Sequence, residues 1–234
     1  MSPAPAAQPG TSLVSWSGGK DSCLALWRAQ RQGLQVVRLL CALDETGERA
    51  RSHGVPPCLL QAQATALGLQ MQFLQASWTS YETHFIAALR EAHAAGIRQA
   101  VFGDIDLQAH RDWEESVCAH AGFTALLPLW NEDRMALVRE FWAAGFKAVV
   151  VCVDDRHLGP EYAGRLFDEA YVASLPEGVD ACGENGEFHT FVYDGPNFAQ
   201  PVSWRAMGTK SYTSPPQFGS VTYHFGLIEP AVLH

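Results

Sequence analysis

Ser17-Gly18-Gly19-Lys20-Asp21-Ser22 places a glycine pair, a cation and a carboxylate in succession between two hydroxyls. Glycines let a backbone come close to an anion. A helix that starts there offers free N–H groups and the positive end of its dipole, which favour phosphate. Ser17 and Ser22 can donate hydroxyl hydrogen bonds, Lys20 can neutralise phosphate charge, and Asp21 can hold Mg²⁺, which prefers carboxylate and phosphate oxygens. The spacing is too short for the Walker loop GxxxxGK[ST], and it lacks the GxGxxG of dinucleotide folds. A bare SGG would be read as an ordinary strand-to-helix turn. The full hexamer, directly after the apolar run Leu13 to Trp16, is read as a phosphate loop.

A second polar cluster follows some 160 residues later: Glu184, Asn185, Glu187, His189 and Thr190. Alternation along an incipient strand would put Glu187 and His189 on one face. Carboxylates there could bind Mg²⁺, position ammonium or recognise a cationic acceptor, and His189 could shuttle a proton. A hydrogen-bonded turn around Asn185-Gly186 is the competing explanation. Gly103 and Asp104 end a predicted strand, where an open parallel sheet binds ligands, so Asp104 is placed for nucleotide, metal or substrate contact. Asp44 and His53 flank the loop after the second strand, within reach of an adenosine or, for His53, an acceptor. Trp130 could line the same pocket or be a buried aromatic at a strand end.

The elements that must position these residues alternate between short apolar runs and helical patterns. Strands are expected at 13–16, 36–43, 72–75, 100–102, 125–129 and 148–153. Helices are expected at 21–32, 57–67, 81–95, 109–121 and 134–144, several closed by glycine. This implies an α/β fold: an open, mostly parallel sheet with helices on both faces. Residues 1–11 read as a loose leader, 12–160 as the nucleotide-binding domain and 161–234 as a smaller C-terminal lobe. That lobe is expected to be helical at 161–174 and β-like at 189–193 and 221–227.

Composition narrows the function classes. With 234 residues and 47% hydrophobic content, the chain can bury a sizeable core. A net charge of −9 and only three lysines make it a poor generic nucleic-acid binder. The six cysteines form no CxxC pair and sit mostly in apolar stretches, as small buried residues of a reducing compartment. Cys182 beside the second cluster reads as structural, because no second cysteine is near it in sequence. No signal peptide and no run near the roughly 20 residues of a membrane span is evident, so a cytoplasmic location is expected.

SGGKDS resembles the PP-loop of the ATP pyrophosphatase superfamily. GENGEFHTFVYDGPNF at 183–198 resembles the signature of the diphthine–ammonia ligase (diphthamide synthase) family, and GDI at 103–105 and PLW at 128–130 fit its spacing. The resemblance runs from about residue 12 to 200. It implies a HUP-like (adenine nucleotide alpha hydrolase-like) sheet, ATP and Mg²⁺ as cofactors, and an acceptor carboxylate that is adenylated and then amidated by ammonia. Lys20, Asp21, Glu184, Glu187 and His189 would be catalytic. Ser17, Gly18, Gly19, Ser22, Asp44, Gly103 and Asp104 would join Lys20 and Asp21 in binding ATP. His53, Trp130, Asn185 and Thr190 would bind the acceptor. The acceptor is either a modified elongation factor or a small carboxylate, since the segment DLQAHRDW at 106–113 departs from archaeal members and is nearer a bacterial branch. A homodimer is allowed. A nucleotide sensor and a tRNA-modifying enzyme are disfavoured, the first by Lys20, Asp21 and the acidic motif, the second by the charge.

Overall fold

The structure, a computed structural model, describes residues 10–216 and 219–231. Most of the leader expected at 1–11 therefore lies outside the described residues, and Thr11 already belongs to a strand.

Five parallel strands form the first sheet in the order β3-β2-β1-β4-β5. They are β1 (Thr11–Ser15), β2 (Val36–Leu43), β3 (Gln70–Gln75), β4 (Ile97–Val101) and β5 (Thr124–Leu126). The crossovers are α1 (Lys20–Arg31), α2 (Pro57–Leu67), α3 (Tyr81–Ala94) and α4 (Gln108–Ala121), and α5 (Arg134–Ala143) follows β5. Alternation along each strand sends neighbours to opposite faces. Leu13, Leu40 and Ala100 pack with Phe85, Leu89 and Val117 in one core, which α3 and α4 cover. Val14, Leu39, Cys41 and Val101 pack in the other with Leu24, Leu60, Val138 and Phe141. Val36–Leu43 and Pro57–Leu67 match the expected bounds, and the remaining elements shift by a few residues. Helix α2 starts on prolines, which need no N–H partner there, and stops at Gly68 with φ 67°.

A second, antiparallel sheet has the order β7-β6-β9-β8. Its strands are β6 (Lys147–Asp154), β7 (Phe188–Asp194), β8 (Trp204–Thr213) and β9 (Thr222–Pro230). The run at 148–153, expected to extend the parallel series, is β6 of this sheet. An unbroken apolar strand reports burial on both faces and nothing about the direction of its neighbours. Val149, Val150 and Val192 bury into the core shared with Leu24 and Phe141, so this sheet packs on the α1 and α5 side of the first. The helix expected at 161–174 reduces to a 3-10 turn at Pro160–Tyr162 and the short α6 (Glu169–Ala173), because Ala163–Asp168 runs back along β6.

Candidate functional site

Three glycines fix the loop between β1 and α1. Gly18 has φ 77°, and a Cβ there would lie 2.7 Å from both Leu60 Cδ2 and Gln63 Oε1. A Cβ on Gly19 would meet His53 Cε1 at 2.5 Å. A Cβ on Gly103 would meet the backbone of Asp21 and Ser22 at 2.9 Å. Gly103, at the end of β4, is thus the residue that lets β4 touch the start of α1. Gly19 is the N-cap of α1 and supplies no side-chain cap. The first helical N–H groups therefore meet no side chain of their own cap residue, and Lys20 N donates to Thr190 Oγ1 (3.0 Å). Gly19 N donates to Ser17 Oγ, and the Ser17 and Ser22 hydroxyls lie 3.2 Å apart.

Gln63, absent from the sequence expectations, staples this loop. Its amide donates to Gly18 O (3.0 Å) and Val192 O (2.6 Å), and its oxygen accepts from Trp16 Nε1 (3.0 Å). Val192 N donates to Gly18 O, so β7 lies directly along the loop.

A cavity of about 730 Å³ opens at the carboxyl ends of β1, β2 and β4. Ser17, Lys20, Asp21, Ser22, His53, Gly103, Asp104, Glu184, Asn185, His189 and Thr190 all line it, so the tertiary fold brings the two sequence clusters to one place. Lys20 is 6% exposed, and its Nζ donates to both Asp21 oxygens (2.6 and 2.8 Å). Burial opposes the Lys20 charge, but Asp21, Cys182 and Glu184 hold its pKa above the ordinary value. Glu184 Oε1 accepts from Ile105 N (3.0 Å), and burial with Asp21 nearby raises its pKa to about 7. Arg134, at the start of α5, bridges Asp106 and Asp180, and Asp180 accepts from Glu184 N, which fixes the second cluster against the β4 loop.

The His53 and His189 rings are in contact, tilted by 33° with centroids 4.6 Å apart. His53 Nδ1 lies 2.9 Å from Thr190 O, and a carbonyl only accepts, so the ring proton sits on Nδ1 and Nε2 keeps its lone pair. Burial drives both imidazoles down, His53 to about 4, with Lys20 adding to the effect. Asp104 accepts at 2.7 Å from His110 Nδ1, and the Glu114 carboxyl lies against it from the next turn of α4. Burial and the Asp104 charge raise the Glu114 carboxyl to about 11, so it is a neutral acid; its Oε2 has no partner.

Three expected site residues lie elsewhere. Asp44 does not line the cavity: its Oδ1 accepts from Thr46 N, Thr46 Oγ1 and Glu48 N, holding its own turn. Ala50, Arg51, Ser52 and His53 of the same loop reach the cavity instead. Trp130 sits outside, with the Arg111 guanidinium 4.9 Å over its ring. Glu187 is 2% exposed and outside the cavity, because it turns back to accept from Asn185 N and Asn185 Nδ2 (both 3.0 Å). It shapes the turn, and the strand that would have paired it with His189 begins only at Phe188. Cys182 is buried, donates to Arg134 O and is pushed to about 12 by burial, which suits a structural thiol. His110 and Glu114 are absent from the sequence expectations, although their i, i+4 spacing puts them on one side of α4; that Asp104 meets them depends on the fold.

The N-terminal domain of diphthamide synthase matches residues 10–125, and the C-terminal domain of the same protein matches 133–211. The chain belongs to the diphthamide synthase family. Among its relatives is a diphthine–ammonia ligase of Danio rerio, 28% identical over 80% of this chain and 83% of that protein. The diphthine–ammonia ligase of Homo sapiens is 26% identical over 80% of this chain and 79% of its own. A solved structure described as a predicted subunit of a tRNA methyltransferase from Methanocaldococcus jannaschii aligns with TM-score 0.43 at 15% identity, covering 60% of this chain and 80% of that one. The two diphthamide synthase domains thus contribute the two halves of one cavity: loop and β4 from the first, Glu184 to Thr190 from the second. Among the described residues no three His, Cys, Asp or Glu side chains converge to hold a metal, and no helix is long and apolar enough to cross a membrane.

Proposed function

We propose that this protein is an ATP-dependent ligase that adenylates an acceptor carboxylate and converts it to an amide with ammonia, with diphthine on an elongation factor as the acceptor. The observation that carries the reading is the uncapped start of α1, with buried Lys20, facing the same cavity as Glu184 and His189. The relatives' names supply the acceptor and ammonia.

ATP phosphates would lie on the loop of Ser17 to Ser22, with Lys20 beside the leaving pyrophosphate. The acceptor carboxylate attacks the α-phosphorus, pyrophosphate departs, and ammonia then attacks the acyl adenylate and releases AMP. The protein's contribution is positioning and fixed charge. The donor set fits a Mg²⁺ that arrives on the nucleotide better than a protein cage, because Asp21 belongs to the loop and is partly open to the cavity, while no three His, Cys, Asp or Glu side chains converge among the described residues. Mg²⁺ bound there would neutralise phosphate charge. Neutral His53 and His189 keep the cavity from carrying further charge beside Lys20.

The assay is incubation with Mg-ATP, ammonium and either diphthine-bearing elongation factor or small carboxylates. AMP and pyrophosphate formed only with acceptor present is the expected result. ADP and phosphate would refute adenylation, and turnover with small carboxylates alone would replace the acceptor.

A further inference from the structure

The amidation step needs neutral ammonia, while ammonium is the form in neutral water. Delivery of the nucleophile therefore requires a group that attracts a cation and takes its proton. The cavity holds such a group on the β4–α4 side. His110 lies at its exposed rim, with Nδ1 2.7 Å from Asp104 Oδ1. Asp104 accepts, so in the neutral imidazole Nδ1 carries the proton and Nε2 carries the lone pair. Glu114, 4% exposed and one helical turn on, lies against the same Asp104 carboxylate. Glu114 also lines the cavity wall.

Building on the adenylating reading above, we propose that His110 is the catalytic base that receives a proton from ammonium, with Asp104 and Glu114 as positioning residues. The groups that face His110 are Asp104 from the end of β4, Glu114 from its own helix and Glu184 from the second motif. Asp21 and Lys20 of α1 lie across the same cavity. Their balance is negative, which draws ammonium to the rim. One ammonium N–H bond breaks and its proton moves to His110 Nε2. The freed lone pair forms the C–N bond at the acyl carbon. The C–O bond to AMP then breaks with its electron pair on AMP, and the extra proton on the new amide nitrogen leaves to water. Asp104 raises the basicity of the imidazole and fixes its tautomer, as a carboxylate does behind any catalytic histidine. Glu114 as a neutral acid holds Asp104 in place without adding charge.

The decisive comparison is His110→Gln, whose amide can still donate to Asp104 but cannot accept a proton. Amide formation with ammonium, measured relative to acceptor-dependent ATP–pyrophosphate exchange, should fall roughly 100-fold or more. The acidic limb of its pH profile should vanish. Hydroxylamine, mostly uncharged at neutral pH, should restore product formation. An unchanged ratio would overturn the proposal, as would parallel loss of exchange and of the hydroxylamine reaction, which marks a structural role. A second measurement does not depend on turnover. Titration of His110 by imidazole NMR should move to lower pH in Asp104→Asn, and an identical titration in that variant would overturn the dyad. Absence of exchange in the wild-type protein would count against adenylation itself, leaving the NMR result to decide on the dyad.

Discussion

Lys20 and Asp21 are adjacent in sequence and ion-paired in space, yet the pair points into a cavity instead of across a surface. On the proposed chemistry Lys20 acts on charge that develops on pyrophosphate. Lys20→Ala or Asp21→Ala should lower acceptor-dependent AMP formation by about 10²- to 10³-fold, with an unchanged far-ultraviolet circular dichroism spectrum. Wild-type turnover in either variant would remove the loop from the mechanism. Glu114 makes a separate prediction about stability. Its folded carboxyl is raised from 4.5 to about 11 by burial, so above pH 4.5 folding takes up a proton that the unfolded chain has lost. Its contribution is then lost progressively as pH rises through that window. Glu114→Gln keeps a donor toward Asp104 and does not titrate. Its unfolding free energy should therefore gain on that of wild type between pH 5 and pH 8, by on the order of a few kcal/mol. A pH-independent difference would show that the carboxyl is ionised.

At the scale of elements, the loop is held by contacts that no local pattern announces. Gln63 lies on the buried side of α2 and is fully satisfied by Trp16, Gly18 and Val192. Gln63→Leu keeps the volume and leaves those groups without their partner. The expected loss is about 3 kcal/mol, with a Tm drop on the order of 10 °C and weaker nucleotide binding. A variant as stable as wild type would mean that the loop holds its shape alone. Strand β8 illustrates the limit of pattern reading. It was not expected at all, because Arg205 to Thr213 are exposed along its length and it forms the edge of its sheet. Burial writes the apolar period into a strand, and β8 has almost none.

For the whole molecule, the site is closed by two sheets of different origin. Lys20 N to Thr190 Oγ1, Val192 N to Gly18 O and Ile105 N to Glu184 Oε1 all cross between the parallel and antiparallel parts. A nucleotide on the loop should therefore stabilise both. At a concentration of about 100 Kd the gain is roughly 2.7 kcal/mol. Hydrogen exchange with Mg-ATP should slow together at 17–22 and 184–192. Protection confined to 17–22 would separate the second motif from the nucleotide.

The sequence by itself determined the parallel αβ alternation, the glycine turn at Ser17 to Ser22 between the first strand and helix, and the polar density around Glu184 to Thr190. Each of these is local: glycines, periodicity and polar density lie within a few residues of one another. Only the tertiary structure decided that Glu187 and Asp44 serve their own turns, that Trp130 lies outside the cavity, and that β6 belongs to the second sheet. It also brought in Gln63, His110 and Glu114. Their roles depend on partners such as Val192, Asp104 and Glu184 on other elements, and a side chain's partner across space is set by packing rather than by its neighbours in the chain.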